Sequence, residues 1–267
     1  MKIVLDSSKS GRENASGYYD RSKKFKSKAV GAARALEETL KKIERERRRL
    51  FFAAQKPAVE ATEKRVKIVE TREKEWFERF HHFTTSSGFL VLGGRDASQN
   101  DGLVARHGEP TDYFFHADIR GASAVILKSG GKKFEEIPEQ DLSETAQFAA
   151  CYSTAWSRGF GSVDVYSVAV SQLSKHSQGE YVGKGGFVMK GERKWFRNTE
   201  LKLAIVVENE LSAVPGLLAE KHLKKVVLAP GETSKQELVK KIGEKFGLRG
   251  DYASHLQQLL PGPGSLA

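Results

Sequence analysis

DYFFHADIRGASAVIL, residues 112–127, holds two short apolar strand patterns, 112–116 and 122–127, on either side of the turn segment ADIRG. Strand, turn and strand in so few residues favour antiparallel neighbours, because parallel strands need a long crossover. Within it His116, Asp118 and Arg120 alternate with Ala117, Ile119 and Gly121, so an extended chain would carry all three polar groups on one face. Three readings stay open: a structural network in which Asp118 fixes Arg120, a phosphate contact through Arg120, and catalysis through His116 and Asp118.

Outward from this stretch the texture repeats. Strand patterns are predicted at 89–92, 161–170, 186–190 and 201–207, with helices at 96–107 and 141–158. The predicted body is therefore α+β, a mixed, largely antiparallel sheet with flanking helices. After Glu208 a smaller α/β unit is expected, with KKVVLAPG as strand and turn, SKQELVKKIGEKF and DYASHLQQLL as helices, and PGPG as a stop.

The first ~80 residues differ in kind. Phe25, Ala29, Ala32, Leu36, Thr39, Ile43 and Leu50 form one four-three seam, and Val59, Thr62, Val66, Val69, Glu73, Trp76, Phe80 and Phe83 form another. Pro57 ends the first run, since a proline bars its predecessor from helical geometry. The seams predict a long antiparallel coiled-coil hairpin preceding the sheet. The expected domains are a hairpin over 1–83 with its tip near 55–58, the α+β domain over 84–208, and the small unit over 209–267.

The chain has 267 residues and a net charge of +10, which points to a polyanionic partner. Between residues 18 and 80 lie 19 Lys and Arg against 11 Asp and Glu. The clusters RSKKFKSK at 21–28 and RERRR at 45–49 carry few compensating acids, making Lys24, Lys26, Arg47, Arg48 and Arg49 candidate phosphate contacts. A mixed-charge solvated coil face is the alternative reading of the same clusters. The single cysteine, Cys151, excludes an intramolecular disulfide and multi-cysteine zinc sites, and fits a reducing, cytoplasmic setting. No stretch approaches the ~18 apolar residues of a membrane span.

Enzyme signatures are lacking. There is no G-x-S-x-G elbow, and the seven histidines show neither H-x3-H nor H-E-x-x-H spacing. GKGG at 183–186 lacks the Lys-Ser/Thr of a phosphate-binding P-loop. SSGFLVLGGRDASQND, 86–101, is more informative: Gly93 and Gly94 follow a strand, Arg95 stands beside them, and Asp96 or Ser98 can cap a helix containing Asn100. Backbone N–H groups at such a turn suit an anion. In YVGKGGFVMKGERKWFR, 181–197, Lys184, Lys190, Arg193, Lys194 and Arg197 interleave with Tyr181, Phe187, Trp195 and Phe196. That pattern suits phosphates and base faces of single-stranded RNA, although a strand pair with buried aromatics produces it too.

The blocks SSGFLVLGGRDASQND, DYFFHADIRGASAVILKSG, ETAQFAACYSTAWSRGFGSVDVYSVAVSQLSK and GEYVGKGGFVMKGERKWF, in this order, resemble the NFACT RNA-binding domain. That domain belongs to the ribosome-associated quality-control tailing family, which includes nuclear export mediator factor, Caliban and the fibronectin-binding protein A-like proteins. ENASGYYDRSKKFKSKAVGA and KEWFERFHHFTTSSGF resemble the two arms of the family's middle coiled coil, and the unit after 208 resembles its archaeal tail. The resemblance implies binding to the large ribosomal subunit carrying stalled peptidyl-tRNA, with ribosomal RNA as a partner, tRNA as a further one, and no cofactor, metal or membrane. The family's tRNA-handling N-terminal half is not among these residues, so tailing activity is not expected of this chain and no catalytic residue is assigned. His116, Asp118 and Gly121, with Gly93, Gly94, Asp96 and Asn100, are then structural and recognition elements. Arg95, Arg120, Lys184, Lys190, Arg193 and Lys194 are the candidate RNA contacts. The rival reading is a metal-dependent nuclease or other RNA-processing enzyme using His116 and Asp118.

Overall fold

The computed structural model describes residues 4–8, 10–26, 28–29, 39, 41–42, 75–175, 183–208, 210–248 and 252–267. The chain divides into two compact units, Met1–Arg65 and Val66–Ala267.

In the first unit, residues 11–26 form helix α1. Its start is a capping box: the Glu13 carboxylate accepts from the Ser10 backbone N–H at 2.8 Å, and the Ser10 hydroxyl accepts from the Glu13 N–H at 3.3 Å. The Ser10 hydroxyl, donating to the Glu13 carboxylate at 2.7 Å, and the Ser10 N–H hold the Glu13 carboxyl below its usual range. Phe25 is exposed on this helix, as are Lys24 and Lys26.

Among the described residues no long antiparallel coiled-coil hairpin precedes the sheet, contrary to the seams. Its returning arm was to run helically through Trp76, Phe80 and Phe83, but residues 76–79 are turns and His81–Thr84 is a strand, β1. Phe80 and Phe83 lie 3% exposed in the core of the second unit. Three-four spacing of aromatics fits a helix seam and also fits a turn followed by an alternating strand. The sheet's demand for apolar cover decided between them. The proposed tip near 55–58 and Arg47, Arg48 and Arg49 fall outside the described residues.

The second unit is α+β. Its six-stranded sheet has the order β1-β2-β4-β3-β5-β8, with β2 Leu90–Gly93, β3 Tyr113–Ala117, β4 Val125–Leu127, β5 Ser162–Ala169 and β8 Lys194–Glu200. A two-stranded ribbon joins β6 Leu173–Ser174 to β7 Val188–Met189. A four-stranded sheet follows in the order β10-β9-β11-β12, from Leu211–Pro215, Leu203–Val207, Lys225–Thr233 and Gly264–Leu266. All pairings among the described residues are antiparallel.

Alternation along the strands separates two faces of the larger sheet. Val91, Phe115, Val125, Leu127 and Val165 face one core, with Phe148 and Ala149 of helix α3 (Glu139–Cys151). Leu92 and Ile126 face the other way, onto Leu103 of helix α2 (Ala97–His107). Phe114, Tyr166 and Val168 share that second face with Phe187 and Met189 of the ribbon. The single helix expected over 141–158 breaks at Tyr152, where the Ser153 hydroxyl accepts from the Ala155 N–H and caps a short helix α4, Thr154–Ser157.

The first core continues without interruption into the four-stranded sheet, through Leu203, Ile205 and Leu228, and into α5 (Lys235–Phe246) and α6 (Ala253–Leu259). Two buried polar atoms along this seam find partners across it. Tyr152 Oη donates to the Leu259 carbonyl at 2.7 Å, and Trp156 Nε1 to that of Pro263 at 2.6 Å. Among the described residues no helix is long and apolar enough to cross a membrane.

Candidate nucleic-acid interface

The site begins at the strand-turn-helix β2–α2. Gly94 donates its N–H to the Ala124 carbonyl at 3.0 Å, and buried Asn100 returns the link by accepting from Ala124 N–H at 3.1 Å. A Cβ on Gly94 would stand 2.1 Å from Asn100 Oδ1 and 2.8 Å from its backbone nitrogen, so only glycine lets turn and helix close. Asp96 caps α2 by accepting from Gln99 N–H at 2.8 Å. The N–H groups of Ala97 and Ser98, in the first turn, are beyond the reach of any carbonyl of the helix.

A second wall comes from the turn after β3. Gly121 has φ +85°, and Thr154 anchors the turn by donating from Oγ1 to the Arg120 carbonyl at 2.7 Å. A third comes from Gly183–Gly186, closed by Gly186 N–H to the Gly183 carbonyl at 3.0 Å with Gly185 at φ +80°. Asp101 of α2 pins this turn, accepting from Gly185 N–H at 3.0 Å and pairing with Lys175. Gly185 sits so close over α2 that a Cβ there would meet Ala97 Cβ at 2.9 Å.

These segments enclose a cleft of about 480 Å³ lined by Gly94–Ala97, Asn100, His116, Arg120–Ser123 and Gly183–Gly186. Arg120 and Lys184 are exposed on it, and neither has a carboxylate partner among the described residues. Asp96 and Asp101, the acids of its α2 side, are engaged in a cap and an ion pair. Burial lowers the His116 pKa, keeping the imidazole neutral near pH 7, and its Nδ1 has no hydrogen-bond partner. Two cations, the first-turn amides of α2 and the glycine turns give the cleft groups that suit an anion.

Eight of the residues singled out in the sequence thus meet here: Gly94, Arg95, Asp96, Asn100, His116, Arg120, Gly121 and Lys184. Gly93 stands beside them, its Cα facing Phe148. Arg95 lines the cleft, yet its guanidinium turns away to Gln258 Oε1 at 2.8 Å and to the carbonyls of Glu78 and Phe80 at 3.3 and 3.4 Å. Burial also lowers its pKa. Lys190, Arg193 and Lys194 are exposed around β7 and the start of β8, outside the cleft lining. Asp118 is exposed, and its backbone N–H, donating to the Asp164 carbonyl at 2.8 Å, is what fixes it. No ion pair joins Asp118 to Arg120, and among the described residues no group of three or more His, Cys, Asp and Glu could hold a metal ion. Sequence reasoning missed Asp101 and Lys175, which position the glycine turn. Their separation of 74 residues leaves no local signal.

The family profile described as the NFACT protein RNA binding domain matches residues 79–191, which include all three cleft segments. The chain is 37% identical over 200 residues to the archaeal Rqc2 homolog aRqcH of Methanocaldococcus jannaschii, covering 72% of this chain and 29% of that protein. It is 32% identical over 226 residues to the ribosome quality control complex subunit NEMF homolog of Drosophila melanogaster, covering 83% and 21%. A solved structure of the C-terminal part of the fibronectin/fibrinogen-binding protein from Streptococcus suis superimposes with a TM-score of 0.39 at 21% identity, covering 51% of this chain and 50% of that one. The chain spans less than a third of the length of these two curated relatives. It is therefore NFACT/NEMF-like and carries an NFACT protein RNA binding domain over residues 79–191.

Proposed function

We propose that this chain is the RNA- and ribosome-binding module of an archaeal-type ribosome quality-control factor, acting in the cytoplasm on the large subunit that carries stalled peptidyl-tRNA. The observation that carries this reading is the cleft lined by Arg120, Lys184 and the start of α2, where neither cation has a carboxylate partner among the described residues, inside the segment that matches the RNA-binding profile. A backbone phosphate supplies the acceptor oxygens and charge that this cradle lacks. Ribosomal RNA is the main partner and tRNA a further one. The module is read as binding RNA and not cutting it: burial keeps His116 neutral near pH 7, and Asp118 lies exposed on the turn after β3.

The test is co-sedimentation with purified large subunits and with joined ribosomes, at low and physiological salt, for the wild-type chain and for Arg120→Ala with Lys184→Ala. Salt-sensitive pelleting with the free large subunit is expected. The double variant should weaken it and flatten the salt dependence by about two phosphate equivalents. An unchanged slope would remove the cleft from the interface. Labelled RNA incubated with Mg²⁺ or Mn²⁺ should remain intact, and cleavage lost in His116→Ala would overturn the non-catalytic reading.

A further inference from the structure

The face of the six-stranded sheet that carries Phe114 and Tyr166 is covered at one end and open at the other. The ribbon residues Phe187 and Met189 pack on Phe114, Tyr166 and Val168. At the β8 edge, beyond the residues matched by the family profile, Trp195 remains 37% exposed.

Strand register places three rings in a row across this face. His116 pairs directly with Tyr166, and Tyr166 with Trp195. Their centroids are 5.7 and 5.6 Å apart in turn. The row starts in the cleft, because His116 is one of its walls. It ends at the exposed indole two strand spacings away, about 10 Å.

Two cations dress the open end. Trp195 and Arg197 share one face of β8 by the strand period, and Arg193 stands just before the strand. Arg197 lies 4.0 Å from the Trp195 ring and is held by Asp164 at 2.6 Å. Arg193 lies 4.6 Å from the Tyr166 ring and 5.8 Å from that of Trp195, and has no carboxylate partner among the described residues. A partly exposed ring with guanidinium groups beside it suits an electron-rich planar ligand that also brings negative charge. A nucleotide base with its phosphate has both properties.

We infer that Trp195, flanked by Arg193 and Arg197, stacks an unpaired base of an RNA strand whose neighbouring phosphate sits in the Arg120–Lys184 cleft. The inference rests on the RNA-binding reading and deepens it by naming the form of RNA. A duplex keeps its base faces stacked on one another, so it reaches the cleft but not the indole. Recognition through a ring face tolerates any base, so the site reads strandedness rather than sequence.

The experiment uses the full chain in a Trp76→Phe background, where Trp156 is fully buried and Trp195 reports on ligand. The probes are a short oligoadenylate, the same strand with abasic sites, and an rA·rU duplex of equal length. The single strand is expected to quench indole emission, and Trp195→Ala to weaken its binding roughly tenfold. Trp195→Phe should restore most of that loss, while Arg193→Gln should weaken the single strand more than the duplex. The abasic strand and the duplex should bind the wild-type chain and Trp195→Ala alike. Binding of the single strand that is unchanged in Trp195→Ala, or a duplex that quenches equally, overturns the stacking inference and leaves the RNA-binding reading standing. Failure of every probe to bind overturns both.

Discussion

Gly94, Asn100 and Ala124 form a closed triangle that can be opened at either of two corners. Asn100→Ala removes the acceptor of the Ala124 N–H, and Ala124 is 1% exposed, so water does not replace it. A buried donor left without a partner costs about 1–3 kcal/mol. Gly94→Ala drives a methyl to 2.1 Å from Asn100 Oδ1. The amide must leave, which breaks the same hydrogen bond, and the backbone nitrogen at 2.8 Å adds overpacking strain of about 1–3 kcal/mol. Gly94→Ala therefore costs about 2–6 kcal/mol. The lost hydrogen bond is common to both changes, so the double variant should be destabilised by about 1–3 kcal/mol less than the sum. Urea denaturation of the four proteins, followed by circular dichroism, measures the coupling. Additivity within about 0.5 kcal/mol would show that glycine and amide act independently, and would refute the claim that their contact closes the turn onto the helix.

Three other perturbations test separate parts of the structure. Burial, with Arg95, Lys235 and His82 nearby, pushes the His81 pKa down to about 3, while an unfolded imidazole titrates near 6.5. The unfolded chain thus binds the extra proton between those values. This contribution is complete above about pH 6.5 and falls by up to about 1.4 kcal/mol per pH unit as pH drops toward 3. His81→Phe, which keeps a ring against Tyr152, should flatten that slope in urea midpoints measured across the window, and an undiminished slope would exclude His81 as its source. Arg95→Met should cost about 1–3 kcal/mol by freeing Gln258 and the carbonyls of Glu78 and Phe80, yet lower RNA affinity less than Lys184→Ala does. A larger loss of affinity than of stability would make Arg95 a phosphate contact after all. Asp101→Ala should release the Gly183–Gly186 turn, seen as faster amide exchange at Gly185 and Gly186 with weakened RNA binding, and unchanged exchange would show the turn holds itself.

Much of the local chemistry was legible. Gly93-Gly94 after an apolar run, with Asp96 ahead of Ala97, announces a strand, a tight turn and a capped helix, and those residues build one wall of the cleft. Strands β3, β4, β5 and β9 are apolar enough to read directly. Strand β8, KWFRNTE, was not, because an edge strand with one face open keeps its polar residues and shows no clean alternation. β10 and β12 were hidden by a terminal proline and by shortness. Arg95 illustrates a different failure: a basic residue beside a glycine turn looks like an anion ligand, and its carbonyl partners lie at 78 and 80 and in α6.

What the sequence by itself determined is local and compositional: the +10 charge that calls for a polyanion, the glycines and caps of each turn, and the blocks that resemble an RNA-binding domain. Tertiary structure alone decided which turns meet. The pairing β1-β2-β4-β3-β5-β8 brings residues near 94, 120 and 184 around one cleft, and sets His116, Tyr166 and Trp195 in one row. It also drew Phe80 and Phe83 from a predicted helical seam into the core. The reason is physical. Caps and turns are fixed by neighbours in sequence, whereas strand order and register are fixed by how the whole chain buries its apolar faces, and that quantity belongs to no single segment.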